Sequence, residues 1–199
     1  MVSPIVFIGD SITDADRLST PDGLGTGYVR LVAEALAATG TPILNRGVSG
    51  DRVVDLERRW EADVVAHRPA LLSVFVGIND TWRRYDSDDP TSAKDFAIRY
   101  RHVLGRALDA GVERLVLVEP FLLPVTVEQE TWRDDLEPKQ EVVAELAREF
   151  GAPLVPLQSL MTAAARDQGA VALAGDGIHP SAAGSRTIAD AWLAAATRG

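Results

Sequence analysis

Ile5-Val6-Phe7-Ile8 runs directly into Gly9-Asp10-Ser11. Four apolar residues in succession, with no polar residue alternating, suit a strand covered on both faces, as in a parallel sheet. The pattern returns at Pro42–Asn45, Leu71–Val76, Arg114–Glu119 and Pro153–Leu157. Between these runs lie segments with helical spacing. Val53, Leu56, Trp60 and Val64 form one stripe, and Phe96, Tyr100, Val103 and Ala107 form another. A third, Val142, Val143, Leu146, Ala147 and Phe150, is closed by Gly151, and the last follows a start signal at Pro180-Ser181. Strands separated by single helices imply right-handed crossovers and an α/β architecture, a three-layer αβα sandwich on a parallel five-stranded sheet. The polar stretches Asp86–Ser92 and Glu128–Asp135 read as surface loops. With no repeat, linker or low-complexity tract, residues 1–199 are expected to form a single domain.

The 199 residues carry 29 acidic and 20 basic side chains, a net charge of −9. Hydrophobic residues make up 46% and charged residues 25%, an ordinary globular composition that argues against disorder. There is no cysteine, so disulfides, thiolate metal sites and a thiol nucleophile are excluded. The acidic balance argues against a nucleic-acid partner. No apolar run reaches the roughly 18–20 residues that span a bilayer, so no membrane partner is expected. Met1–Pro4 lacks a positive charge, and the apolar run after it is too short for an export signal. The expected location is therefore cytoplasmic.

In open parallel sheets, ligands bind beyond the carboxyl ends of the strands. Four polar segments fall there: Gly9-Asp10-Ser11, Gly47-Val48-Ser49-Gly50, Gly77-Ile78-Asn79-Asp80 and Asp176-Gly177-Ile178-His179-Pro180. Ser11 is a candidate nucleophile, but an unassisted hydroxyl needs a positioned base. His179, on a loop before the last helix, is the candidate base. Asp176, three residues earlier, can turn back to its Nδ1–H and leave Nε2 facing Ser11. The backbone N–H groups of Ser11 and Gly50 and the side-chain amide of Asn79 are candidate oxyanion donors.

These four blocks, in this order, resemble those of the SGNH (GDSL) hydrolases, from the first strand to the last helix. The resemblance implies a flavodoxin-like sandwich and ester hydrolysis by Ser11, His179 and Asp176, with Ser11, Gly50 and Asn79 as the oxyanion hole. The stretches Gly9–Arg17, Leu24–Val29, Asp55–Val64 and Gly77–Asp86 are similar to intracellular serine acetylxylan esterases. That narrower resemblance implies small acyl groups, chiefly acetyl, on xylo-oligosaccharides or related carbohydrates. It also makes a homo-oligomer plausible. Leu173-Ala174-Gly175, before Asp176, departs from that subgroup by lacking an aromatic residue.

Taken alone, Ser11 reads as an N-cap of the first helix, and only the company of Asp176 and His179 shifts it to a nucleophile. Asp10 is expected to hydrogen-bond the following turn, and Asp80 to hold the Asn79 loop. The spacing of Asp14, Asp16 and Asp22 misses a calcium loop, so no metal and no cofactor are expected. Trp60 and Trp192 fall on core faces. Trp82 can stack on a sugar, line an acyl pocket or merely pack. Tyr28 and Arg46 are further substrate-binding candidates at the rim. The alternatives to the carbohydrate esterase are a thioesterase or lysophospholipase with the same triad, and a catalytically silent carbohydrate-binding module.

Overall fold

The computed structural model describes residues 2–197. In chain order the elements are β1 (Ile5–Gly9), α1 (Ser11–Asp14), α2 (Tyr28–Ala35), β2 (Ile43–Gly47), α3 (Val53–Asp63), β3 (Leu71–Phe75), α4 (Ile78–Asp86) and α5 (Ala93–Asp109). There follow β4 (Arg114–Val118), α6 (Val127–Glu130), α7 (Arg133–Glu149), β5 (Leu154–Val155), α8 (Leu157–Gln168), α9 (Ala170–Leu173) and α10 (Ala182–Ala196). The sheet order is β2-β1-β3-β4-β5 with every pairing parallel.

The unbroken apolar runs have the expected cause. Side chains alternate across a strand, and both faces of this sheet are covered. Ile5, Phe7, Leu71, Phe75, Val116 and Val118 pack on one face with α2, α8 and α10. Val6, Ile8, Leu72, Val74, Leu115 and Leu117 pack on the other with α3, α5 and α7. Trp60 and Trp192 are fully buried in these two clusters, as their helical spacing required. The Trp192 indole N–H is satisfied by Ser73 Oγ at 2.9 Å.

Two expectations are corrected. The fifth strand is only Leu154–Val155, since Leu157 already opens α8. The stretch Glu128–Asp135, expected as a surface loop, is largely helical. Thr126 caps α6 by accepting the Gln129 N–H at 3.2 Å, and burial of Trp132 and Leu136 draws the start of α7 onto the core. Its charged residues masked a helix that tertiary packing completes.

The chain leaves β1 toward β2 on one side, then crosses to β3 on the other. The strand order therefore reverses at β1/β3, and that is where a crevice opens above a doubly wound sheet. Among the described residues, no helix is long and apolar enough to cross a membrane.

Candidate active site

Ser11 opens α1 directly beyond β1. Its hydroxyl does not cap the helix. Asp10 does so, accepting the Ile12 N–H on Oδ1 at 3.0 Å. The Ser11 hydroxyl instead donates to His179 Nε2 at 2.9 Å. His179 Nδ1–H donates to Asp176 Oδ2 at 2.5 Å. The other Asp176 oxygen accepts the backbone N–H groups of Ile178 at 2.9 Å and His179 at 2.7 Å. This compact loop needs Gly177, whose φ is +84° and whose hypothetical Cβ would lie 2.6 Å from the Leu123 carbonyl. Partial burial works to raise the Asp176 pKa. The bonds from His179 and Ile178 outweigh it and hold the carboxyl below its ordinary value. Residues 168 apart in sequence thus form a hydroxyl–imidazole–carboxylate chain with the donor and acceptor order of a hydrolase triad.

The loop is propped from beyond β4. Gln129 Nε2 donates to the Asp176 carbonyl at 2.7 Å, and its Oε1 accepts the Val125 N–H at 2.9 Å. Nothing local in the sequence signals this role for Gln129, because it depends on a segment read as a loop.

Gly50 stands after β2 with φ +86°, the third residue of a turn closed by the Asp51 N–H on the Val48 carbonyl at 3.2 Å. Asn79 lies in the first turn of α4, and its Nδ2 donates to the Asp51 carbonyl at 3.1 Å. The Val48 N–H donates to the Gly9 carbonyl at 3.0 Å. Loops after β1, β2 and β3 are therefore bonded to one another, and Asp51 is the link that sequence inspection overlooked. Its position next to Gly50 was the available clue.

The rim candidates divide. Trp82 lies one turn beyond Asn79, its ring centroid 6.1 Å from that of His179 and 5.8 Å from that of Trp132. Tyr28 is not at the rim. It is 1% exposed, packs edge-on against Phe7 and Phe75, and shares a hydrogen bond with Thr13 Oγ1 at 3.1 Å. The apolar stripe of α2 turns its ring into the core. Arg46 is engaged elsewhere too. It points to the α3 side and pairs with Asp63 at 2.8 Å.

Beside Ser11 opens a cleft of about 480 Å³. Its lining sets the hydroxyl groups of Thr26, Ser49, Ser181 and Ser185 beside His179, Asp16 and the apolar Ile12 and Ala15. Beneath the site, Asp10 and Asp80 are both completely covered. Burial pushes Asp10 up to about 7, opposed by the Ile12 N–H and reinforced by the charges of Asp80 and Asp51. Burial likewise pushes Asp80 up to about 7, opposed by the Val53 N–H, which it accepts at 3.1 Å, and by Lys139 and Arg52. A carboxyl whose pKa is higher in the folded state binds its proton more tightly there. Its contribution is thus full in acid and is lost as pH rises from about 4 to about 7. The wild-type Tm is therefore expected to fall between about pH 5 and pH 8. Asp10→Asn, which keeps an oxygen for Ile12 but has no charge to ionise, should flatten that fall. A parallel D10N profile by differential scanning fluorimetry would exclude Asp10 as its source.

Comparison with known proteins follows the same lines. The GDSL-like lipase/acylhydrolase family matches residues 7–187. An acetylxylan esterase from Geobacillus stearothermophilus is 36% identical, with 95% of this chain and 91% of the relative covered. The solved structure of a catalytic mutant of Axe2, an acetylxylan esterase from the same organism, superposes with a TM-score of 0.89 at 33% identity, covering 96% of this chain and 93% of the other. LAE5, an α/β hydrolase enzyme from the metagenome of Lake Arreo, gives 0.89 at 30% identity, covering 98% and 95%.

Proposed function

The chain belongs to the GDSL-like lipase/acylhydrolase family and is a carboxylic ester hydrolase; within that class we propose that it removes acetyl groups from short carbohydrates such as xylo-oligosaccharides. The observation that carries this reading is the unbroken Ser11–His179–Asp176 hydrogen-bond chain at the mouth of a hydroxyl-lined cleft. Ser11 attacks the ester carbonyl as His179 Nε2 takes its proton, and Asp176 stabilises the imidazolium. The N–H groups of Ser11 and Gly50 and the free amide hydrogen of Asn79 receive the oxyanion. His179 then protonates the leaving sugar oxygen and activates the water that releases acetate.

The cleft supports the choice of substrate. Hydroxyl-bearing side chains suit the alternating donors and acceptors of a sugar. The apolar cavity of about 710 Å³, lined by Pro153, Leu154, Pro156 and Leu160 among others, belongs to the β5 edge and includes no triad residue. A long-chain thioesterase or lysophospholipase would need such a lining beside Ser11. The reading also takes the protein to be a single-domain, cytoplasmic homo-oligomer, to be checked by cell fractionation and light scattering.

The test is acetate release from acetylated xylo-oligosaccharides beside aryl acetate and aryl octanoate. Activity on the aryl acetate with none on the sugars would remove the carbohydrate claim. Preference for octanoate would remove the acetyl claim. Trp82 supplies a second check. Trp82→Ala is expected to raise KM for the oligosaccharide by about tenfold, the worth of one lost aromatic contact, while kcat on aryl acetate changes little. Equal effects on both substrates would count against sugar stacking.

A further inference from the structure

Arg59, in the middle of α3, belongs to none of the segments that carry the triad. Its guanidinium nevertheless reaches the end of β1 and the loop beyond β2. Nη2 donates to the Gly9 carbonyl at 3.0 Å, two residues before Ser11. Nε donates to Asp51 Oδ2 at 2.6 Å, one residue after Gly50. Nη1 donates to the Arg46 carbonyl at 2.7 Å and to Asp63 Oδ2 at 2.8 Å. All three nitrogens are used, each in a direction fixed by the plane of the fork, and the side chain is only 18% exposed.

Asp51 passes this constraint onward. Its N–H closes the turn that gives Gly50 its conformation, and its carbonyl binds one amide hydrogen of Asn79. That leaves the second amide hydrogen of Asn79 to face a substrate. The orientations of the Gly50 N–H and of the Asn79 amide therefore both depend on where Asp51 is held. Arg59 holds it, and the same side chain holds the strand end that leads to Ser11. We infer that Arg59 is the positioning residue of the oxyanion hole, a rigid clamp setting the distances among donors borne on three separate loops. It touches no reacting atom. An oxyanion donor displaced by a fraction of an ångström stabilises the transition state less while barely changing ground-state binding, so the signature is a loss in kcat.

The inference rests on the esterase reading, and the measurements are chosen to tell their failures apart. Arg59→Met, Arg59→Lys and Asp63→Asn are compared with wild type on an aryl acetate, well below their melting temperatures. R59M should lose about 100-fold in kcat, the loss seen on removal of one oxyanion donor, with KM within about threefold. R59K, which keeps the charge but not the fork, should lose about tenfold. D63N removes the charge of a partner that Nη1 meets, and alters neither the Gly9 nor the Asp51 contact. It should melt lower yet keep kcat within about threefold of wild type. If R59M does not fold, R59K carries the test. A folded R59 variant with kcat within about threefold of wild type, or a D63N loss as large as that of R59M, overturns the inference and leaves the esterase reading standing. A wild-type protein inert on aryl acetate overturns both.

Discussion

Replacing Ser11 by alanine is expected to lower kcat on a small aryl acetate by about 10⁵- to 10⁶-fold, with almost no change in Tm. The size follows from what the hydroxyl does. Without Oγ no acyl-enzyme forms, and the imidazole can only assist direct attack by water, so what remains is binding and oxyanion stabilisation. The small stability change follows from what the hydroxyl does not do. The helix that Ser11 begins is capped by Asp10, whose carboxylate takes the Ile12 N–H, and that bond survives the substitution. Had Ser11 been the N-cap, alanine would cost roughly 1 kcal/mol and a visible drop in Tm. Steady-state kinetics and a melting curve on one preparation separate these cases. An organophosphonate provides a third readout, since it should label wild type and leave S11A unmodified. Turnover by S11A within tenfold of wild type would end the proposed mechanism, because the reaction would then not pass through the Ser11 hydroxyl.

Asp176→Asn is expected to be the next most damaging substitution, at about 10⁴-fold in kcat. Asparagine preserves the loop, because its oxygen can still accept the Ile178 and His179 backbone N–H groups. Its amide would then face His179 Nδ1, whose N–H now donates a hydrogen bond to Asp176 Oδ2. Two donors cannot share that contact, so the imidazole adopts the other tautomer. Nε2 then carries a hydrogen and cannot accept one from Ser11. The side chain of Asp176 is 50% exposed, so solvent can screen part of the lost charge, and the tautomer effect carries most of the loss. Since hydrogen bonding holds the Asp176 carboxyl below its ordinary range, the wild-type triad retains its carboxylate throughout mildly acidic pH. The check is kcat for D176N against wild type from about pH 5 to pH 9, with Tm alongside. A loss smaller than tenfold across that range would mean that Asp176 only shapes the loop.

Much of the fold was legible because its determinants are local. Runs such as Ile5–Ile8 and Leu71–Phe75 need both faces covered, whatever else the chain contains, and helix stripes such as Val53, Leu56 and Trp60 declare their period without reference to a neighbour. Thr126, by contrast, begins a helix inside a stretch whose charges outnumber its apolar residues. Its continuation depends on Trp132 and Leu136 finding the core, a contact that no window of sequence contains. The short fifth strand was overextended for the converse reason. Apolar character alone could not tell the two residues that pair with β4 from the Leu157 that starts the following helix.

The same division runs through the site. The residue types and their order beyond successive strands were sequence properties, and they sufficed to nominate Ser11, Gly50, Asn79, Asp176 and His179. The company of Asp176 and His179 favoured attack over capping at Ser11, and the structure adds that Asp10 supplies the cap and that His179 reaches the hydroxyl from the far end of the chain. Tyr28 and Arg46 were near the right strands but face the core and the α3 side, because a side chain's direction is set by the pleat and helix phase that packing selects. Gln129 and Arg59 carry no local mark at all. Their significance consists of hydrogen bonds to the backbone of segments 47 and 50 residues away, which only the closed sheet brings within reach. Sequence alone determined which groups could react and on what scaffold. Tertiary structure decided which of them meet and what holds them there, because hydrogen bonds act over about 3 Å while the chain that supplies their partners is arranged by burial of the whole core.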